Sequence, residues 1–127
     1  MGLESCKVEA IIAVSDMARA REFYEGKLGL AGGPEGDDGG VTYRCAGETL
    51  IHIYPSEHAG ESAATLAAWS TDDVEGTVAE LSSKGIQFEQ YDTDQIKTDE
   101  SGIAHFGADR IAWFKDPDGN TLGVGSP

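Results

Sequence analysis

One arrangement occurs twice in this chain: an alternating apolar stretch that runs into a helix-start signal. In "KVEAIIAV" (7–14), Val8, Ala10, Ile12 and Val14 share one face, while Lys7, Glu9, Ile11 and Ala13 share the other. That is the period of a strand with one apolar face. Ser15 or Asp16 then offers an N-cap. Met17, Ala20, Phe23, Tyr24 and Leu28 follow at helical spacing, and Gly29 stops the helix. The pattern restarts at "ATLAAWS" (64–70), a second apolar strand. Thr71 or Asp72 caps a helix whose Val74, Val78 and Leu81 face inward, and Gly85 closes it. Counted from Asp16 to Asp73 the offset is 57 residues, and "KLGL" (27–30) is echoed by "SKGI" (83–86). A chain built this way is expected to be a duplicated βαβββ unit, with module one at 5–55 and module two at 63–126. In each unit a helix covers one face of the sheet only. The uncovered faces of two units placed side by side can curl into a half-barrel around a central cleft. The expected fold class is therefore α+β, with a curled mixed sheet.

The remaining segments fill in the two modules. "AGGPEGDDGG" (31–40) reads as a mobile, acidic, Gly-rich loop. "VTYRCAGETLIHIY" reads as two strands joined by a turn at Ala46-Gly47-Glu48. In the second of these strands Ile51 and Ile53 share one face, and Leu50, His52 and Tyr54 the other. "IQFEQY" (86–91) alternates as a strand, and "DTDQIKTDESGIAHFG" (92–107) reads as a long polar segment suited to a hinged lid. "DRIAWF" and "NTLGV" make the final hairpin, with Pro117, Asp118 and Gly119 at its reversal.

Charge excludes some partners. Nine basic residues against 23 acidic ones give a formal net charge of −14. Such a surface repels phosphate backbones and anionic lipid, so neither nucleic acid nor a membrane surface is an expected partner. The start "MGLESCKVEA" lacks a basic segment followed by an apolar run, and the longest apolar run, "AIIAV" (10–14), is too short to span a bilayer. Cys6 and Cys45 have no C-x-x-C spacing and fit reduced thiols, so a cytoplasmic location is expected.

"AVSDMARAREFYEGKLGL" and "WFKDPDGNTLGV" resemble the vicinal oxygen chelate superfamily, which includes glyoxalase I, bleomycin-resistance proteins, fosfomycin-resistance enzymes and extradiol dioxygenases. The resemblance covers nearly the whole chain and implies the fold more specifically than the reaction. In metal-dependent members four strand positions supply ligands. The resemblance places them here at Glu9, His52, Leu66 (Thr65 if the register slips by one) and Gly123. Leucine has no donor atom and glycine offers only backbone, so two of the four ligands are lost. A catalytic divalent metal generally needs three or more protein ligands. The expectation is accordingly no cofactor, with a weak divalent-metal site at Glu9 and His52 as the alternative. His58 or His105, both read as loop residues, could complete such a site.

Three functional readings follow. The first is a metal-free small-molecule-binding protein of the bleomycin-resistance kind. Its ligand would be held by Tyr43, Tyr54, Leu66, Phe88, Phe106, Trp113, Thr121 and Gly123, in a homodimer whose pockets the subunits share. Trp69 shares a face with Ala67 and is assigned to the core. The second is a lyase, isomerase or dioxygenase-like enzyme. In that reading Glu9, its pKa raised by burial in the cleft, acts as general base and His52 as acid. The third is an interaction role through dimerisation alone.

Overall fold

The computed structural model describes residues 2–127 and resolves two compact units, one ending at Glu61 and the other starting at Ser62. In the first unit, β1 (Glu9–Val14) leads into α1 (Met17–Arg21), and β2 (Val41–Arg44) and β3 (Leu50–Pro55) follow. β3 lies in the middle of this sheet, parallel to β1 and antiparallel to β2. Beyond β2, a single bridge from Gly32 to Tyr43 stands where a fourth strand would run. In the second unit β4 (Thr65–Ser70) precedes α2 (Val74–Ser83), and β5 (Ile103–Phe106), β6 (Asp109–Lys115) and β7 (Thr121–Gly125) follow. The strand order is β4-β7-β6-β5, with β4 parallel to β7 and the other neighbours antiparallel. Each unit thus pairs its first strand in parallel with its last, on which the strand before it folds back. The duplication is real, and the fold class is α+β.

Both helices start on an aspartate. The Asp16 side chain accepts from the Arg19 backbone N–H at 3.1 Å, and Asp73 accepts from the Gly76 N–H at 2.9 Å. The second cap is therefore Asp73, not Thr71 or Asp72. Thr71 instead accepts from the Asp73 N–H through its hydroxyl. The first helix does not stay α. From Glu22 to Lys27 it widens into a π-helix. Phe23 and Tyr24, adjacent in sequence, are both buried there, with their rings edge to face at 5.2 Å. A π-turn inserts one extra residue, a local distortion that regular spacing in the sequence does not announce.

Two strand assignments need correction. "IQFEQY" (86–91) makes only a bridge, Phe88 to Phe114, with the Glu89 N–H donating to the Trp113 carbonyl. The first strand after α2 is instead β5, inside the stretch expected to be an unstructured polar lid. That stretch is pinned further by the bridges Asp92–Lys97 and Thr98–Ala104. The Gly-rich loop 31–40 is likewise hydrogen-bonded, Gly36 N–H to Gly40 carbonyl and Gly39 N–H to Gly36 carbonyl.

The first core forms where Ile12, Val14, Val41, Ile51 and Ile53 meet the helical aromatics. Tyr43 belongs to it. It is paired with Ile51, fully buried, and stacked on Tyr24 at 6.2 Å. Its hydroxyl donates to Glu25 Oε2 at 2.8 Å, and Arg21 Nε donates to the same oxygen at 2.7 Å. Burial pushes Glu25 up, but the hydrogen bonds from Arg21 and Tyr43 outweigh it and hold the carboxyl below its ordinary range. Burial first, then the Glu25 bond, pushes the Tyr43 phenol well up. The folded state thus keeps this proton after the unfolded chain has lost it, near pH ~10. Stability is complete below that pH and falls as pH rises beyond it. Replacing Tyr43 with Phe is expected to cost about 1–2 kcal/mol at pH 7 in urea unfolding. It should also flatten the alkaline fall, leaving the smaller contribution of Tyr91, whose phenol burial also raises. An unchanged alkaline slope would contradict the buried pairing.

Among the described residues no helix is long and apolar enough to cross a membrane. Cys6 and Cys45 are both free thiols.

Candidate functional site

The sheet face away from α1 carries, row by row, Glu9 beside Leu50 and Arg44, Ile11 beside His52 and Thr42, and Ala13 beside Tyr54. His52 is the organised residue here. Its Nδ1 lies 2.9 Å from Thr42 Oγ1, and its Nε2 lies 2.6 Å from Asp38 Oδ2. Its ring also stacks on Tyr54, with centroids 6.3 Å apart. With Nε2–H donating to Asp38, Nδ1 is left to accept from the Thr42 hydroxyl, so the carboxylate selects one tautomer. The His52 bond is the first reason the Asp38 carboxyl stays below its usual range, and the Gly40 N–H is the second.

Asp38 reaches His52 because the loop closes tightly at Gly40. A Cβ on Gly40 would stand 2.5 Å from the Ile53 carbonyl oxygen and 2.9 Å from His52 Nε2. The Gly40 N–H in turn donates to Asp38 Oδ1 at 2.8 Å. Nothing in the sequence singles out Asp38 within 31–40, which reads only as a mobile, acidic, Gly-rich loop. No spacing rule connects it to a histidine 14 residues on.

Glu9 shares the face of His52 but is exposed, so the burial expected to make it a base is absent. It pairs with Leu50, two residues along β3 from His52. Strand geometry sets the Glu9 and His52 Cα atoms ~8 Å apart. Ile11, 58% exposed, lies between them on β1.

In the second unit, β7 and β6 set Gly123 opposite Trp113, and β4 sets Ala68 on its other side. A Cβ added at Gly123 would meet Ala68 Cβ at 3.5 Å and the Trp113 Cδ1 at 3.6 Å, ordinary contacts. The indole therefore lies beside the position from which a carboxylate would extend. Trp113 is 9% exposed, and Tyr91 packs edge-on against it at 5.5 Å. Tyr91 was missed because the stretch around it reads as a strand end. Ala104 and Phe106 share the Trp113 face on β5, and Phe106 is 47% exposed. Thr121 is buried and accepts from Lys115 Nζ at 3.0 Å. Leu66 falls in a bulge between Thr65 and Ala67 and turns outward.

The aromatic assignments therefore divide. Tyr54, Phe106 and Trp113 lie on faces away from the helices. Tyr43 and Phe88 do not. Phe88 packs edge-on against Phe114 at 5.5 Å, on the helix side of its sheet. A parity signal for Tyr43 was present in the sequence. Tyr43 alternates with Thr42 and Arg44 and shares its face with Val41, as a core residue would. Trp69, assigned to the core, is only half-buried, although its ring stacks on Phe114.

Both nitrogens of His52 are engaged, and Leu66 and Gly123 bring no side-chain donor. His58 is held by its neighbours Glu61 and Glu57, and His105 lies in β5 rather than a loop, 3.0 Å from Asp99. Among the described residues no three His, Cys, Asp or Glu side chains gather into a group that could hold an ion.

The family model described as Glyoxalase/Bleomycin resistance protein/Dioxygenase superfamily matches residues 7–124. The chain belongs to this superfamily. The fold agrees with solved members. A glyoxalase/bleomycin resistance protein from Catenulispora acidiphila DSM 44928 is 20% identical with a TM-score of 0.71, over 97% of this chain and 99% of that one. TnmS3, an antibiotic binding protein from Streptomyces sp. CB03234, is 21% identical with a TM-score of 0.65, over 97% and 98%. Oxidase ChaP-H2 is 19% identical with a TM-score of 0.68, over 95% and 92%. No curated protein gives a significant match. This fold thus carries both a binding protein and an oxidase, so function must be argued from these side chains.

Proposed function

We propose that this superfamily member binds an organic small molecule without a metal, through aromatic and apolar side chains on the strand faces turned away from the helices. The observation that carries this is at Gly123. Where a carboxylate would reach out, the backbone offers no side chain, and the Trp113 indole lies against it. An aromatic plate with alanine and glycine beside it suits a flat apolar guest better than a cation. TnmS3, which shares the fold, is an antibiotic binding protein, and that supports an organic ligand here.

Trp69→Phe leaves Trp113 as the sole tryptophan, so its emission reports on this face. A panel of polycyclic aromatic antibiotics is expected to contain a compound that changes the emission saturably at micromolar concentration. Trp113→Leu should weaken that compound's binding, read by calorimetry, by about tenfold or more. A panel without saturable change, or equal binding by the Leu variant, would remove the proposal.

The hold on His52 favours a second reading, acid–base catalysis on a small carbonyl compound. An imidazole bonded on one side to a carboxylate and on the other to a hydroxyl is oriented as a general base requires. Under this reading Asp38, rather than Glu9, is the partner that matters. Asp38→Asn should then lower kcat while Glu9→Gln leaves it unchanged, and the reverse result would reject this assignment.

A further inference from the structure

Behind the second sheet, on its helix side, α2 and the chain from Ile86 to Ile103 enclose a groove of about 490 Å³. Its floor mixes apolar side chains with Ser82, Gln87 and Gln90. Val78, Ile86, Phe88 and Ile103 line it and are otherwise buried. Its rim is acidic, with Glu75 on α2 and Asp99 and Glu100 across from it. No lysine or arginine lines it, among the described residues. The far wall is firmly built. Asp99 Oδ1 accepts from the Ser101 and Ile103 N–H groups, and Gln90 Nε2 donates to the Glu100 carbonyl at 3.1 Å. Gly102, at φ +91°, presses so close that a Cβ there would stand 2.8 Å from Phe88 Cβ.

We propose that this groove is a ligand site separate from the Trp113 face, and that it takes a small organic cation, a protonated amine on a flat apolar body. The volume suits a molecule of drug-like size, since such sites span ~300–1,000 Å³. The floor would take the apolar body and the rim the charge. One positive group stands near the rim. Arg110 Nε stands 3.9 Å from Glu75 Oε1, but its Nη1 donates to the Gly107 and Asp109 carbonyls. Asp99 is bonded to His105 and Glu75 is loosely paired with Arg110, which leaves Glu100, and in part Glu75, as the carboxylates with room to meet an amine. The net charge of −14 adds a long-range attraction for cations.

The test uses 2-(1-naphthyl)ethylamine, its neutral analogue 2-(1-naphthyl)ethanol and the anion 1-naphthylacetate, titrated into the full chain by calorimetry and ligand-observed NMR. The amine should bind about tenfold or more tighter than the alcohol, and the acetate not measurably. Glu75→Gln combined with Glu100→Gln changes two solvent-facing residues, so folding is preserved. It should bring amine binding down to the level of the alcohol. Ala79→Trp fills the groove from the exposed side of α2 and should abolish binding of both. Equal affinity for amine and alcohol would overturn the charge assignment. Full binding by Ala79→Trp would overturn the location. Absence of saturable binding up to millimolar amine would overturn the site itself. Trp113→Leu should leave amine binding intact, so failure here and failure of the Trp113 reading are separate results.

Discussion

Asp116→Ala is expected to lower unfolding free energy by about 3–4 kcal/mol, because it strips one carboxylate from three hydrogen bonds at once. Asp116 Oδ1 accepts from the Asp118 and Asn120 N–H groups, both at 2.9 Å, and Oδ2 accepts from Asn120 Nδ2 at 2.8 Å. Asn120 is buried, so its N–H and its amide lose a partner that water cannot readily replace. The backbone closes the same loop, with Asp116 N–H donating to the Asn120 carbonyl and Gly119 N–H to the Asp116 carbonyl. Gly119 supplies the positive φ the reversal needs. Asp116→Asn should cost less, about 1–2 kcal/mol, since one oxygen still accepts while the new NH2 faces the amide of Asn120. Urea denaturation with an unchanged m-value is the measurement. An alanine variant within about 1 kcal/mol of wild type would mean the hairpin is held by its backbone alone. The consequence reaches the candidate site, because this hairpin fixes the pairing of Trp113 with Gly123.

Gly40→Ala should have the second-largest effect, about 2 kcal/mol of stability with loss of the His52–Asp38 bond. The new methyl would meet the Ile53 carbonyl at 2.5 Å. Ile53 pairs with Ile12 on one side and Val41 on the other, so the strand cannot withdraw and the loop must. Asp38 then leaves His52, and its carboxyl should titrate closer to the ordinary aspartate range. The sign follows from linkage. A carboxyl held low in the folded state contributes stability above the unfolded pKa of ~3.9, and that stability disappears as pH falls through the lowered folded value. Wild type should therefore lose more stability than Gly40→Ala on acidification toward that range. Carboxyl-detected NMR titration of Asp38 reads this directly. A value unchanged by the substitution would show that His52 does not depend on the loop closure.

How much of this was legible in the sequence depends on the range of the interaction. The strands at Glu9–Val14 and Thr65–Ser70, the inward residues Val74 and Val78, and the DPDG reversal are set by neighbours within a few residues and appear where the pattern put them, whereas Val8, assigned to the apolar face, lies outside β1 and is exposed. The duplication was readable because both halves repeat the same local grammar. β5 was hidden because "IAHF" is four residues long, flanked by glycines and set in a polar stretch, while 86–91 alternates well yet finds a partner for only one residue. Pairing decides a strand, and pairing is non-local. The same limit hid Asp38, whose role comes from a loop folding back over β3. Tyr43 was misplaced although parity with Val41 gave its face. Glu25 was overlooked although Arg21 stands four residues before it, the spacing of a helical ion pair.

The central claim is that ligand binding here needs no metal, and calorimetry of one protein sample in two states tests it most directly. After dialysis against EDTA, and again after repletion with Ni²⁺, Zn²⁺, Mn²⁺ or Fe²⁺, the bound polycyclic compound should show the same Kd within about twofold. Stoichiometric uptake of one of these ions together with a tenfold or greater gain in affinity would contradict the account.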